Sequence, residues 1–401
     1  MEAEGSVWAV LRHLIDYGPL SRPDLGKGVG LARAATSAAV NDLMRRGLIG
    51  EIPVESTGRR GRPSYLLDMD EDRFAVIGME IAPDRIMAGA YTLRGRQLLR
   101  VERPVEVERS NPRALLRTAA MSLYEVTGSI DEGGRRMLGA GVSVPGLVDA
   151  ASGTVKYVPS LGWRDIALRT GVNEALGGRG PVLIGKDADF AALAERRARL
   201  RDGRAGSSLV YLTGTHGISA GIVTGDRLWQ GNRGMAGEVG HVIIDPGGER
   251  CVCGRHGCFE TRAGISAIVR TALAGRPARS GRAPTLAEAT EEVMRLALAG
   301  DGTVVTVLAE AGSWLGQGAA IVSAILDPGA VVLGGHYARL APWLLEPARK
   351  AFTAALLMPG DDPPELETCS LGGWAATEGA ALGVLHGLAS GDQSLPDEHP
   401  S

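Results

Sequence analysis

Apolar residues at Val7, Val10, Leu11, Leu14 and Ile15 recur at helical spacing and predict a first amphipathic helix, ended by Gly18-Pro19. Ser21-Arg-Pro-Asp24 has the form of a capping box, with proline tolerated in the first turn, and should open a short second helix. Gly28-Val-Gly30 reads as a turn. A third helix is expected from Arg33 to Arg46, stopped by Gly47. The period then changes. Leu48–Ile52 and Tyr65–Leu67 read as strands, with Gly58-Arg-Arg-Gly-Arg-Pro63 at the tip between them. Three helices, a glycine turn and a hairpin describe a winged helix-turn-helix over residues 1–70.

Beyond residue 73 strands come first and helices follow. Phe74–Ile81 and Arg85–Tyr91 read as paired strands about a turn, with Gln97–Val101 as a third and a helix over Pro112–Val126. Gly139–Gly146 is a buried strand and turn, and Pro181–Ile184 leads into a helix through Ala198. Ser208–Leu212 and Gly217–Val223 open a second strand set. Ile325–Gly335 holds a late strand and glycine turn, and Thr377–Leu388 is a last apolar helix. Strand triplets followed by alternating helices and strands fit an α/β, actin-like (ribonuclease-H-like) duplicated fold. The expected lobes are 73–185 with 375–390, and 186–374, leaving 391–401 as a disordered tail.

Composition changes this picture little. A hydrophobic content of 44% with 57 glycines suits an α/β chain with many tight turns, and aromatics at 4% leave Ala, Val, Leu and Ile to build the cores. The net charge of −3 argues against nucleic-acid binding by the chain as a whole, but residues 1–63 hold nine Lys/Arg against seven Asp/Glu. No apolar run reaches membrane-spanning length and no signal-peptide pattern opens the chain, so a soluble cytoplasmic protein is expected.

The chemistry concentrates in Glu238-Val-Gly-His241 and Cys251-Val-Cys253-Gly-Arg-His-Gly-Cys258-Phe-Glu260. His241, Cys251, Cys253 and Cys258 supply the four nitrogen and sulfur ligands of a tetrahedral zinc site. Gly254 and Gly257 would let the chain fold back onto the ion. His256 is a rival fourth ligand, and a disulfide with a spare thiol is the alternative reading. Four protein ligands leave no position for a catalytic water, so the site reads as structural. Glu238 and Glu260 flank it, and a metal-fixed loop would hold both as hydrogen-bond acceptors for a polyol.

Here the resemblance becomes specific. Ala-Gly-Glu-Val-Gly-His (236–241) with Cys-x-Cys-Gly-x-x-Gly-Cys-x-Glu (251–260) resembles the signature of the ROK family of sugar-responsive repressors and sugar kinases. It implies that the histidine and three cysteines bind Zn2+, and that both glutamates and the histidine line a sugar pocket. Gly185-Lys186-Asp187-Ala188-Asp189 resembles the family's Glu-Asn-Asp-Ala-Asn, whose aspartate is the catalytic base of the kinases. The effector set implied is Gly146, Lys186, Asp187, Glu238, His241 and Glu260. Lys186 departs from the pattern: its ammonium would favour an anionic sugar if it enters the pocket, or would merely neutralise Asp187 or Asp189.

Two further departures concern ATP. The kinases' Asp-x-Gly-Gly-Thr phosphate loop is replaced by Glu80-Ile-Ala82-Pro83-Asp84, and the second loop reads Thr215-His216-Gly217-Ile-Ser219-Ala-Gly221. Proline removes a donor and Asp84 places negative charge where phosphates would sit. Phosphoryl transfer rests on positioning and charge stabilisation, so a kinase with a DNA-binding appendage is the alternative and not the main reading. A DNA-binding protein with a dead effector site is the third.

The main reading is a homodimeric or homotetrameric regulator on a palindromic double-stranded operator. Arg33, Thr36, Ser37 and Asn41 would meet the major groove, and Arg59, Arg60 and Arg62 the phosphates or minor groove. Ala32 stands where the family often places a serine cap.

Overall fold

The computed structural model describes residues 2–53, 65–105, 112–204, 208–225, 227–277, 284–357, 363–391 and 393–397. Three helices, α1 (Glu2–Tyr17), α2 (Arg22–Val29) and α3 (Arg33–Arg45), precede an antiparallel pair, β1 (Ile49–Pro53) and β2 (Tyr65–Met69), with Glu51 opposite Leu67. Ser21 caps α2 by accepting from the Asp24 amide at 3.2 Å, but its hydroxyl donates to the Asp24 carboxylate at 2.5 Å, so only half of the capping box forms. Gly28 lies inside α2, and it is Gly30, at φ 68°, that closes the helix. Ala32 caps α3 without a side-chain hydrogen bond. The wing residues Arg59, Arg60 and Arg62 lie outside the described residues.

The body begins with β3 (Phe74–Ile81), β4 (Arg85–Thr92) and β5 (Gln97–Pro104), then α4 (Pro112–Glu132) and β6 (Arg136–Val144). Helix α4 runs one and a half turns past its expected end, because Val126 and Ile130 continue its buried stripe. A small sheet of β7 (Leu147–Asp149), β8 (Thr154–Val158) and β9 (Trp163–Ile166) follows, then α5 (Leu168–Ala175), β10 (Val182–Lys186) and α6 (Asp187–Arg201). The first lobe's sheet has the order β10-β6-β3-β4-β5.

The second lobe contains β11 (Ser208–Gly214), β12 (Ile218–Thr224), β13 (Arg227–Leu228), a 3-10 turn at Val239–His241, α7 (Phe259–Ala263) and α8 (Ile265–Ala272). Then come α9 (Leu286–Leu298), α10 (Gly302–Leu326), β14 (Ala330–Gly335), α11 (His336–Ala355), β15 (Glu365–Thr368) and α12 (Ala375–Ala389). Its sheet order is β13-β12-β11-β14-β15. The antiparallel triplet with two added parallel strands therefore occurs twice, as the duplicated fold requires.

The two central helices lie against opposite sheets and against each other. A Cβ at Gly78 of β3 would meet the Thr377 carbonyl of α12 at 1.9 Å, and one at Gly221 of β12 would meet the Ala188 carbonyl of α6 at 2.0 Å. Glycine is what lets each helix approach that closely.

The winged domain packs onto this pair. Val10, Leu14 and Leu43 belong to one buried cluster with Phe190, Leu193, Val384 and Leu388. Asp16 of α1 accepts from Arg196 of α6 at 3.0 Å and pairs with His386 of α12 at 3.1 Å. The disordered tail expected over 391–401 is corrected for its described part. Pro396 is buried, its carbonyl accepts from Arg46 at 2.8 Å, and Leu395 packs against the winged-domain cluster.

Candidate effector and metal site

Parallel pairing aligns the C-terminal ends of three neighbouring strands. Glu80 of β3 lies opposite Ser143 of β6, and Lys186 of β10 opposite Val144, with Gly146 two residues beyond. Open α/β sheets bind ligands at this edge. Gly146 takes φ +84°, and any Cβ there would lie 2.4 Å from the Tyr157 carbonyl. Asp187 starts α6, is buried, and accepts from the Ala188 amide at 2.8 Å. Burial, aided by Asp189 and Glu238, pushes its carboxyl up to about 6 against the pull of Ala188 and Lys186.

Lys186 is brought to the site but turned inward. It is 3% exposed, donates to the Ala236 carbonyl, and lies 3.8 Å from Asp189 and 4.0 Å from Glu238. It is a counter-charge for acids on both sides. Gln230, absent from the sequence expectations, completes the cluster by donating to Asp189 at 3.0 Å. No motif marked it, because its role depends on the return of the 229–237 loop.

In the second lobe, the candidate ligand atoms of His241, Cys251, Cys253 and Cys258 all lie within 4.8 Å of one another. Cys251 Sγ is 3.6 Å from His241 Nδ1, and Cys253 Sγ is 3.6 Å from Cys258 Sγ. A tetrahedron of thiolates about 2.3 Å from zinc has edges of ~3.8 Å, so the donor set fits. All four cysteines are free thiols. His256 turns its Nδ1 to the Gly248 carbonyl at 3.3 Å and stands outside the cluster. The Cys251 amide donates to the Arg255 carbonyl at 2.8 Å, folding the loop back. Glu260 lies 3.5 Å from His241 Nδ1 and 2.9 Å from Cys251 Sγ. The His241 amide donates to the Glu238 carbonyl at 3.2 Å, so metal ligands and pocket carboxylates share one short turn.

The backbone donors of the turn after β3 are spent on local contacts. The Ala82 amide donates to the Arg85 carbonyl at 2.9 Å and Pro83 has no N–H, which removes two donors from the first loop. Glu80 is fully enclosed, and burial drives its carboxyl up to about 7 although Arg85 opposes this. His336, at the start of α11, is held down to about 4 by burial and by Arg85, and so stands neutral.

On α3, Arg33 and Asn41 are exposed, Ser37 is half-buried, and Ala34 and Ala38 leave the outer face shallow. Thr36 is a correction. It is 3% exposed and its hydroxyl donates to the Ala32 carbonyl at 3.2 Å, because its helical phase points it at the domain core.

An actin-like body with this cluster, carrying a winged helix-turn-helix, defines a transcription regulator built on a sugar-kinase-like fold. Residues 76–386 match the ROK family, and the chain belongs to that family. It is 25% identical to the xylose repressor of Bacillus subtilis (strain 168) over 366 residues, 90% of each chain. It is 30% identical to the DNA-binding transcriptional dual regulator NagC of Escherichia coli (strain K12) over 337 residues, 82% of this chain and 79% of that one. The crystal structure of a ROK family transcriptional regulator, a homolog of the E. coli MLC protein, aligns with a TM-score of 0.76 at 27% identity, covering 97% and 98% of the two chains. A ROK family glucokinase from Streptomyces griseus, in complex with glucose and AMPPNP, aligns at 0.65 and 27% identity but covers only 77% of this chain and 98% of its own. The relatives named as repressors support a repressor role. No helix among the described residues is long and apolar enough to cross a membrane.

Proposed function

We propose that the chain is a sugar-responsive DNA-binding repressor in which Zn2+ on His241, Cys251, Cys253 and Cys258 fixes the loop carrying Glu238 and Glu260. When bound there, zinc would supply a structural anchor held by His241, Cys251, Cys253 and Cys258 and no reaction. The observation that supports this best is the pairing of a retained acceptor set, Asp187, Glu238 and Glu260, with a first loop whose Ala82 donor is consumed and whose Pro83 has none. Carboxylate acceptors, with Lys186 turned to the Ala236 carbonyl, suit the hydroxyls of a neutral sugar.

Arg33, Ser37 and Asn41 of α3 read base edges, and Arg59, Arg60 and Arg62 hold phosphates from the wing. Two such heads in a homodimer or homotetramer meet a palindromic operator. The effector acts by binding the lobes more tightly in one arrangement than the other. Asp16 is placed to pass that difference on, since it holds α6 and α12 together.

A thermal-shift screen of neutral pentoses, hexoses and N-acetylhexosamines, run beside selection of duplex DNA by the protein, tests the reading. One neutral sugar is expected to raise the melting temperature and to change affinity for the selected DNA. Steady ATP-dependent phosphorylation of that sugar, lost in Asp187→Asn, would establish a kinase instead.

A further inference from the structure

The last turns of α6 carry an arginine pair that the effector site does not use. Arg197 is 8% exposed and Arg201, one turn on, reaches the surface. Both guanidiniums donate to one acceptor, the Arg94 carbonyl, at 3.2 and 2.9 Å. Arg197 Nε is buried with no acceptor among the described residues. They border a cavity of about 80 Å³, whose lining also includes Tyr91, Thr92 and Glu378. That space beside the two guanidiniums is large enough for a small tetrahedral oxyanion.

The nearby carboxylates are already committed. Glu378 pairs with Arg100, Asp68 accepts from Arg94 Nε at 2.8 Å, and Asp16 serves Arg196 and His386. Among the described residues neither Arg197 nor Arg201 has a carboxylate within ion-pair distance, while every neighbouring arginine has one. A buried guanidinium with an idle donor is costly unless an anion offsets it. Burial also keeps Tyr91 protonated, its hydroxyl pushed up to about 12, so that group can donate as well. Guanidinium forks match the oxygens of phosphate better than any other side chain.

We propose that Arg197, Arg201 and Tyr91 form a binding site for a small tetrahedral oxyanion, inorganic phosphate or the phosphate of a phosphomonoester. Arg197 forms the floor and Arg201 the mouth. The site has a place in the signal path, because Arg94, whose carbonyl both arginines share, also grips Asp68 of the winged domain. An anion there braces the joint between α6 and the DNA-binding head, independently of the sugar pocket.

The test is calorimetry and thermal shift of the full chain with sodium phosphate against sodium chloride at matched ionic strength. Phosphate is expected to bind one per chain and to raise the melting temperature beyond the chloride control. Arg201→Gln, on the surface and safe for folding, should weaken phosphate binding at least tenfold, whereas Arg270→Gln on α8 should not change it. Methyl phosphate competing with phosphate would point to the ester as source, and its failure to compete to the free ion; either result supports the site. Equal melting temperatures in phosphate and chloride, or undiminished phosphate binding by Arg201→Gln, would overturn it.

Discussion

The two sheets of the body share one strand order and one way of seating a helix, yet they are put to different uses. In the first lobe the C-terminal strand ends and the start of α6 carry buried ionisable groups, with Glu80, Lys186 and Asp187 all under 6% exposed. In the second lobe the equivalent edge is served by an inserted loop, residues 229–258, that holds the His241 and cysteine cluster. The first lobe's insertion is only the small β7–β9 sheet. Duplication thus makes two matching sheets, and the asymmetric insertions decide what stands at their edges. The turn after β3 teaches the same point. Its hairpin closes on itself, with the Ala82 amide spent on the Arg85 carbonyl and no N–H at Pro83.

The sharpest break in this comparison should come from the metal loop. Chelation, or Cys251→Ser, is expected to cost on the order of 4 kcal/mol or more, since ligand binding there is folding energy. Hydrogen exchange should show the loss in α7 and β12 while β3 and β6 keep their protection. Equal loss in both lobes would mean that the cluster supports the whole body and not one insertion.

Next in size is the joint that spans the lobes. Asp16→Ala strands Arg196, which is 6% exposed, and is expected to cost about 3–5 kcal/mol. Urea unfolding should show the winged domain separating first. Burial alone would push the Asp16 carboxyl up, but His386 and Arg196 hold it down at about 2. Its contribution is therefore present above the unfolded value near 3.8 and is lost as pH falls towards 2.

The smallest effect separates the lobes by pH. Glu80 has its folded value raised from 4.5 to about 7 by burial, against the pull of Arg85, so its neutral form stabilises the fold fully below 4.5 and that benefit is lost as pH rises to 7. Glu80→Gln keeps the neutral shape. It should match the parent at pH 4 and exceed it by about 3 kcal/mol at pH 8, measured by urea denaturation. A gain of the same size at both pH values would show that folding does not raise the Glu80 carboxyl at all.

Much of this was legible in the chain itself. The helices of the winged domain, the strand triplets and the cysteine spacing are local patterns, fixed by periodicity, caps and glycine. The metal cluster was readable because its four ligands fall within eighteen residues, so a short loop suffices to gather them. Other features depended on which distant segments meet. The sequence left open whether Lys186 faced a ligand or its acidic neighbours, and only the return of Ala236 and Glu238 turned it inward. Thr36 was assigned to the wrong face because a three-helix domain leaves the phase of α3 to the packing of α1 and α2. The short strands β7–β9 and the docked tail gave no periodic signal, since their burial comes from partners far along the chain. Asp16 contacts residues 180 and 370 positions away, and Arg197 lost its carboxylate partners to other arginines. Local order follows from the backbone's short-range preferences; the state of each buried charge follows from desolvation and the neighbours that folding supplies.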